Sequence, residues 1–263
     1  MEILQFEFMR NALLVGLLVS VACGMIGTYV VVKRIVFISG GISHTAYGGI
    51  GLGYYLGFNP MLGATLFTII SALGMGLVQQ RSSQRQDTVI GVMWAVGMAL
   101  GIMFVKLSPG YTADLMSYLF GSILTVPQRD ILFILLLDLL IIAAVFRYFE
   151  EFKAIAFDEE FARVSGLKVE FFNILLLILV ALTVVVMIRA VGIILVIALL
   201  TIPPAIAGEF SRGLKGMMGF SVVLGIIFTT AGLYLSYLFD LPSGATIILV
   251  AAAGYILALL MKK

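Results

Sequence analysis

One histidine occurs among the 263 residues, His44, and it lies in the run SGGISHTAYGG. Imidazole is a natural ligand for zinc, manganese or iron. A single imidazole cannot close a tight site alone, but weak, escapable binding suits a transport pathway. The competing reading is a neutral ring bonded to a backbone carbonyl, holding helices together. Other ionisable groups in apolar surroundings are few. Asp138, in LLLDLLIIAA, is expected to be paired or structural; Asp114 and Asp240 fall near the ends of apolar runs. One cysteine, Cys23, excludes an internal disulfide and any zinc site built on cysteines. This inventory assembles neither a nucleophile with a base nor a metal cluster, which argues against an enzyme.

The elements that must carry these groups follow from composition. Apolar residues make up 62% of the chain and charged residues 11%, where a soluble domain would carry about 25% charged. Apolar runs fall at 11–32, 42–57, 60–78, 89–105, 131–147, 171–187, 191–208, 216–237 and 243–261. A bilayer-crossing helix needs ~20 such residues, and the short alternating segments of a membrane barrel are missing. The fold class is therefore all-α: a polytopic transmembrane helical bundle of about eight to nine spans. Residues 1–263 read as one transmembrane domain surrounded by lipid, and nothing in it points to nucleic acid. The segment 106–130, broken by Pro109 and Pro127, reads as a short helix at the interface or at membrane depth.

Lysine and arginine favour the cytoplasmic side. With nine spans and the amino terminus outside, Lys33, Arg34, Arg81, Arg85, Arg147, Lys153, Arg163, Lys168, Arg212, Lys215, Lys262 and Lys263 lie inside. Arg10, Lys106, Arg129 and Arg189 lie outside. The bias predicts an amino terminus outside and a carboxyl terminus in the cytoplasm, with Asp114 and Asp240 toward the outer ends. The largest cytoplasmic segment covers about 148–170 and is rich in both charge signs.

Gly41, Thr45, Gly49, Gly53 and Gly57 recur every fourth residue, as do Gly16, Ser20, Gly24 and Thr28. On a helix each set forms one stripe of small residues, which lets a neighbouring helix approach backbone to backbone in lipid. His44 lies beside the first stripe, so it belongs to the protein interior, where an ionisable group is costly and marks a pathway or a paired site. Pro203-Pro204 is expected to kink its run and line a cavity. Gly49, Gly51 and Gly53 form no dinucleotide site, because no strand precedes them, and the chain carries no phosphate-binding G-x-x-x-x-G-K-[ST] loop. Two functions stay open on these grounds: a translocating subunit driven by another protein, or an ion-coupled secondary transporter. The second expects several charged groups at mid-depth, and only His44 and Asp138 offer themselves.

Three stretches together resemble one family. They are KRIVFISGGISHTAYGGIGLGYYLG, YTADLMSYLFGSILTV, and VGIILVIALLTIPPAIA with LPSGATIILVAAA. The family is that of the integral-membrane permeases of bacterial and archaeal ABC importers for zinc, manganese and iron, and the likeness runs over nearly the whole chain. It implies a fold similar to the vitamin B-twelve and metal-chelate importers, and a homodimer in the cell membrane. It also implies two ATPase subunits beneath and a metal-binding protein outside. The chain itself would hydrolyse no ATP and hold no tightly bound cofactor; a divalent metal ion would be its cargo. By the same resemblance His44, with Ser43 and Ser39, lies on the metal pathway, kinked at Pro203 and Pro204. DEEFARVSGLKV would dock on the ATPase through Glu159, Phe161, Ala162, Arg163 and Gly166, with Ala162 and Gly166 as its small positions. Many members carry an acid four residues before the histidine, whereas this chain has Gly40. Loss of that carboxylate favours zinc over manganese.

Overall fold

A backbone in hydrocarbon must satisfy its own polar groups, which leaves helices for so apolar a sequence. A computed structural model describes residues 6–81, 86–109, 118, 121 and 123–261. Its helices are α1 (Glu7–Val32), α2 (Val36–Leu56), α3 (Pro60–Arg81), α4 (Gln86–Leu107), α5 (Gln128–Arg147), α6 (Phe149–Phe157), α7 (Glu159–Val164), α8 (Val169–Phe210), α9 (Leu214–Phe239) and α10 (Ser243–Met261), with a three-ten turn at Ile123–Thr125. No strand occurs among the described residues. Within the segment 106–130, residues 110–117, 119, 120 and 122, Asp114 included, lie outside them.

Among the described residues, seven helical stretches are long and apolar enough to cross a membrane, or eight if α5 and α6 form one span. Two of the nine apolar runs fall short alone. In α2 glycine, serine and His44 dilute the hydropathy, and α5 carries Asp130, Asp138 and Arg147. Within α8 the spans are Val169–Ile188 and Ala190–Phe210. The helical backbone is interrupted at Gly192, whose φ of 77° and ψ of 165° no helix contains. A left-handed φ with an extended ψ is open essentially to glycine alone. The Gly121 backbone packs directly on the Val191–Gly192 peptide, so a Cβ at 121 would overlap it.

The expected kink at Pro203-Pro204 is not where the chain breaks. Both prolines are buried within the continuous helical stretch that ends at Phe210. Proline removes the amide that would bond to the carbonyl four residues earlier, which here orphans the carbonyls of Leu199 and Leu200. Gly27 of α1 covers the second: a Cβ there would sit 2.5 Å from the Leu200 oxygen and 2.8 Å from the Pro204 ring. Glycine thus lets a neighbouring helix close over the gap. Gly27→Ala is expected to cost about 1–3 kcal/mol, as overpacking does, and to lower the apparent Tm in a fluorescence size-exclusion assay. An unchanged Tm would show that α1 can move aside.

The helices gather into two compact units. The first comprises 1–34, 116–147 and 186–263. Its centre is the pair α1 and α9, joined through the small stripe of α1. Gly24 meets the Val222 backbone, Ser20 meets Gly225, and Gly16 meets Thr229. The Ser20 hydroxyl donates to the Gly16 carbonyl at 2.6 Å. Gly232 lets α10 approach at Ile247.

The second unit comprises 35–115 and 148–185. Its axis is α2, buried without interruption from Ile38 to Gly51. Gly49 packs on Gly63 of α3, backbone against backbone, and Gly53 packs on Pro60. The opposite side takes α4, where Gly51 meets Gly101, Gly97 meets Thr45, and Gly41 meets Ile90. The single stripe expected from the sequence is therefore divided between two neighbours. Gly57 belongs to neither. It ends α2 in the left-handed region, at φ 75°, with its amide bonded to the Gly53 carbonyl and open space where a Cβ would be. Its role is that of a helix C-cap.

Candidate functional site: a buried histidine and an exposed short helix

Glycine contacts on two sides of α2 leave His44 only 7% exposed. Its Nδ1 is fully buried and has no hydrogen-bond partner. A buried imidazole nitrogen without a partner normally costs free energy, and through Nδ1 the ring is not the carbonyl-bonded structural histidine of the competing reading. Its face lies on the indole of Trp94 from α4, with centroids 3.9 Å apart and planes inclined by 14°. Sequence reasoning missed Trp94. The available signal was its singularity and its place three residues before Gly97.

Ser39 and Ser43 direct their protons elsewhere. The Ser43 hydroxyl donates to the Ser39 carbonyl, and the Ser39 hydroxyl to the Val36 carbonyl, each at 2.7 Å. Their remaining lone pairs can still accept a proton or a cation. Among the described residues no three histidine, cysteine, aspartate or glutamate side chains converge on a point that could hold a metal. Residue 40 supplies no side chain. What α2 offers is one imidazole nitrogen donor and weak hydroxyl oxygens, a sparse set fitted to brief contact rather than storage.

Asp138 in α5 is 1% exposed, and neither carboxylate oxygen has a hydrogen-bond partner. Of the two roles expected for it, paired or structural, no pairing partner occurs among the described residues. Asp240 is exposed and caps the end of α9 with a left-handed φ of 51°.

The segment after α5 is held by its own caps. The Asp158 carboxylate accepts the Phe161 amide at 2.9 Å, capping α7. At the other end the Gly166 amide bonds to the Arg163 carbonyl and the Leu167 amide to the Ala162 carbonyl, each at 3.1 Å. With Gly166 at φ 86°, this is a Schellman motif. Two site expectations change accordingly. Ala162 is 1% exposed and packs inward, so it presents nothing to a partner. Gly166 is glycine because of its φ; no atom lies within 4 Å of where its Cβ would be. The outward side chains are Phe161 and Val164, 68% and 88% exposed, with Glu159 and Arg163 beside them. Arg163 pairs with Glu170, and the Asn173 amide donates to Glu159 at 3.3 Å.

Seven or eight candidate spans among the described residues, with helices joined through glycine, describe a polytopic helical membrane protein. The ABC 3 transport family matches residues 5–262, and the chain belongs to it. It is a multi-pass membrane subunit of the ABC transporter class. Among its relatives is an uncharacterized membrane protein of Synechocystis, 52% identical over all of this chain and 93% of the relative. The manganese transport system membrane protein MntC of Listeria monocytogenes is 34% identical, over 98% of this chain and 92% of its own. Among solved structures, PsaBC from Streptococcus pneumoniae in complex with Fab superposes with a TM-score of 0.88 at 29% identity, covering 97% of this chain and 92% of that one.

Proposed function

We propose that this chain is the membrane-spanning subunit of an ATP-driven importer of divalent transition-metal ions, and that the cargo passes His44. The observation that carries the reading is the buried, unpartnered Nδ1 of the only histidine, in a helix packed by glycine on two sides. The subunit would act as a homodimer in the cytoplasmic membrane, amino terminus outside. Two copies of His44 would then line one path. An external binding protein would deliver the metal, and an ATPase would dock at α7. ATP binding there would switch the cavity between outward and inward access. The fold of the relatives supports this reading over an ion-coupled transporter.

Donor chemistry supports zinc, because a nitrogen ligand without a carboxylate suits it better than manganese. The name of the Listeria relative supports manganese. Proteoliposomes holding the permease, its ATPase and its binding protein decide the matter. Uptake of radioactive zinc or manganese should require ATP and the ATPase, and competition between the two ions should identify the cargo. Uptake driven by a proton gradient without the ATPase would overturn the assignment.

A further inference from the structure

The only tryptophan of the chain is stacked on its only histidine. We infer that Trp94 is a positioning residue for His44: its indole face fixes the plane of the imidazole that would meet a metal cation and occupies neither ring nitrogen. The inference rests on the proposed role of His44 in the pathway.

A ligating histidine is ordinarily oriented by a hydrogen bond from its second ring nitrogen to a carboxylate, carbonyl or water. His44 has no such support. Nδ1 is unpartnered, residue 40 is glycine, and the hydroxyls of Ser39 and Ser43 donate to helix carbonyls. The indole remains to hold the ring. A face contact restrains the plane of a ring and consumes none of its nitrogen lone pairs. It also favours the loaded state, since an aromatic face attracts the charge of an imidazole that has bound a cation.

The backbone sets the stack. Gly97, one turn after Trp94, would place a Cβ 2.7 Å from Cα of Thr45, the residue after His44. Gly101 would place one 2.5 Å from the Tyr47 carbonyl. With two glycines seating α4 so closely on α2, neither helix can turn without moving the other, and the indole stays over the imidazole. Trp94 is itself 36% exposed, so its substitution leaves the core of the unit intact.

The test uses the full-length permease in lipid bicelles, with zinc chloride and then manganese chloride as probes. All tryptophan emission comes from Trp94. Added metal should change that emission saturably, and His44→Ala should abolish the change. Equilibrium retention of the radioactive ion then compares variants. Trp94→Leu keeps apolar bulk without a ring face and should weaken retention about tenfold or more, the range seen when a ligand's orienting group is lost. Trp94→Phe keeps a face and should stay within about threefold of wild type. Wild-type retention by Trp94→Leu would overturn the inference while leaving His44 in place. Retention by Trp94→Phe as weak as that of the leucine variant would overturn it too, since the ring face is what is claimed. Equal retention by wild type and His44→Ala would overturn both this inference and the pathway role beneath it.

Discussion

Metal uptake should fall on the order of 10- to 100-fold when His44 is replaced by alanine, the range associated with disturbing a metal ligand's surroundings, while assembly of the transporter persists. The two parts of this expectation have separate causes. Uptake falls because α2 offers one nitrogen donor and no carboxylate, so nothing nearby takes over. Assembly persists because Nδ1 makes no hydrogen bond, so its removal orphans no partner. The stack on Trp94 is lost, at a cost of about 1 kcal/mol for an aromatic pair. The glycine contacts of α2 with α3 and α4 do not involve the ring. Radioactive metal uptake and size-exclusion of the purified complex measure the two parts independently. Normal uptake by a well-assembled His44→Ala transporter would reduce the histidine to a packing residue.

The second large effect is expected at α7. Phe161→Asp should remove the ATPase subunit from the purified complex, because a central aromatic anchor of an interface is worth about 2 kcal/mol or more, roughly 30-fold in affinity. The substitution should leave the permease folded. Phe161 is 68% exposed, and α7 is held by the Asp158 cap, the buried Ala162 and the turn at Gly166. Gly166→Arg should also abolish co-purification, but by a different route. At φ 86° an arginine is strained and the turn that ends α7 is lost. Gly166→Asn separates the causes, since asparagine tolerates left-handed backbone better than other side chains, and it should retain the ATPase. A stoichiometric complex with Phe161→Asp would refute docking through α7.

The readings that held from sequence share one property: a pattern along a single helix carries them. Runs of ~20 apolar residues need only length and hydropathy, and they delimit α1, α3, α4, α9 and α10 closely. Small residues every fourth position need only the helical period, and the stripe of α1 packs on α9 through Gly16, Ser20 and Gly24. The readings that changed depend on partners distant in sequence or on backbone angles. Ala162 and Gly166 look alike as small residues, yet one is buried and the other has a positive φ. Pro203-Pro204 looked like a break, but Gly27 closes over the Leu200 carbonyl while the backbone gives way at Gly192.

His44 shows the same boundary in one residue. Its rarity, its apolar setting and the glycines around it were enough to place it inside a helical membrane protein, because burial of an ionisable group in lipid is too costly to be incidental. That its Nδ1 has no partner and its face is covered by Trp94 was decided only by the fold. The two rings stand on different helices, far apart in the chain. They meet because glycines on α2 and α4 let two backbones approach within side-chain reach, and no pattern within either helix specifies which side chain will then lie opposite which.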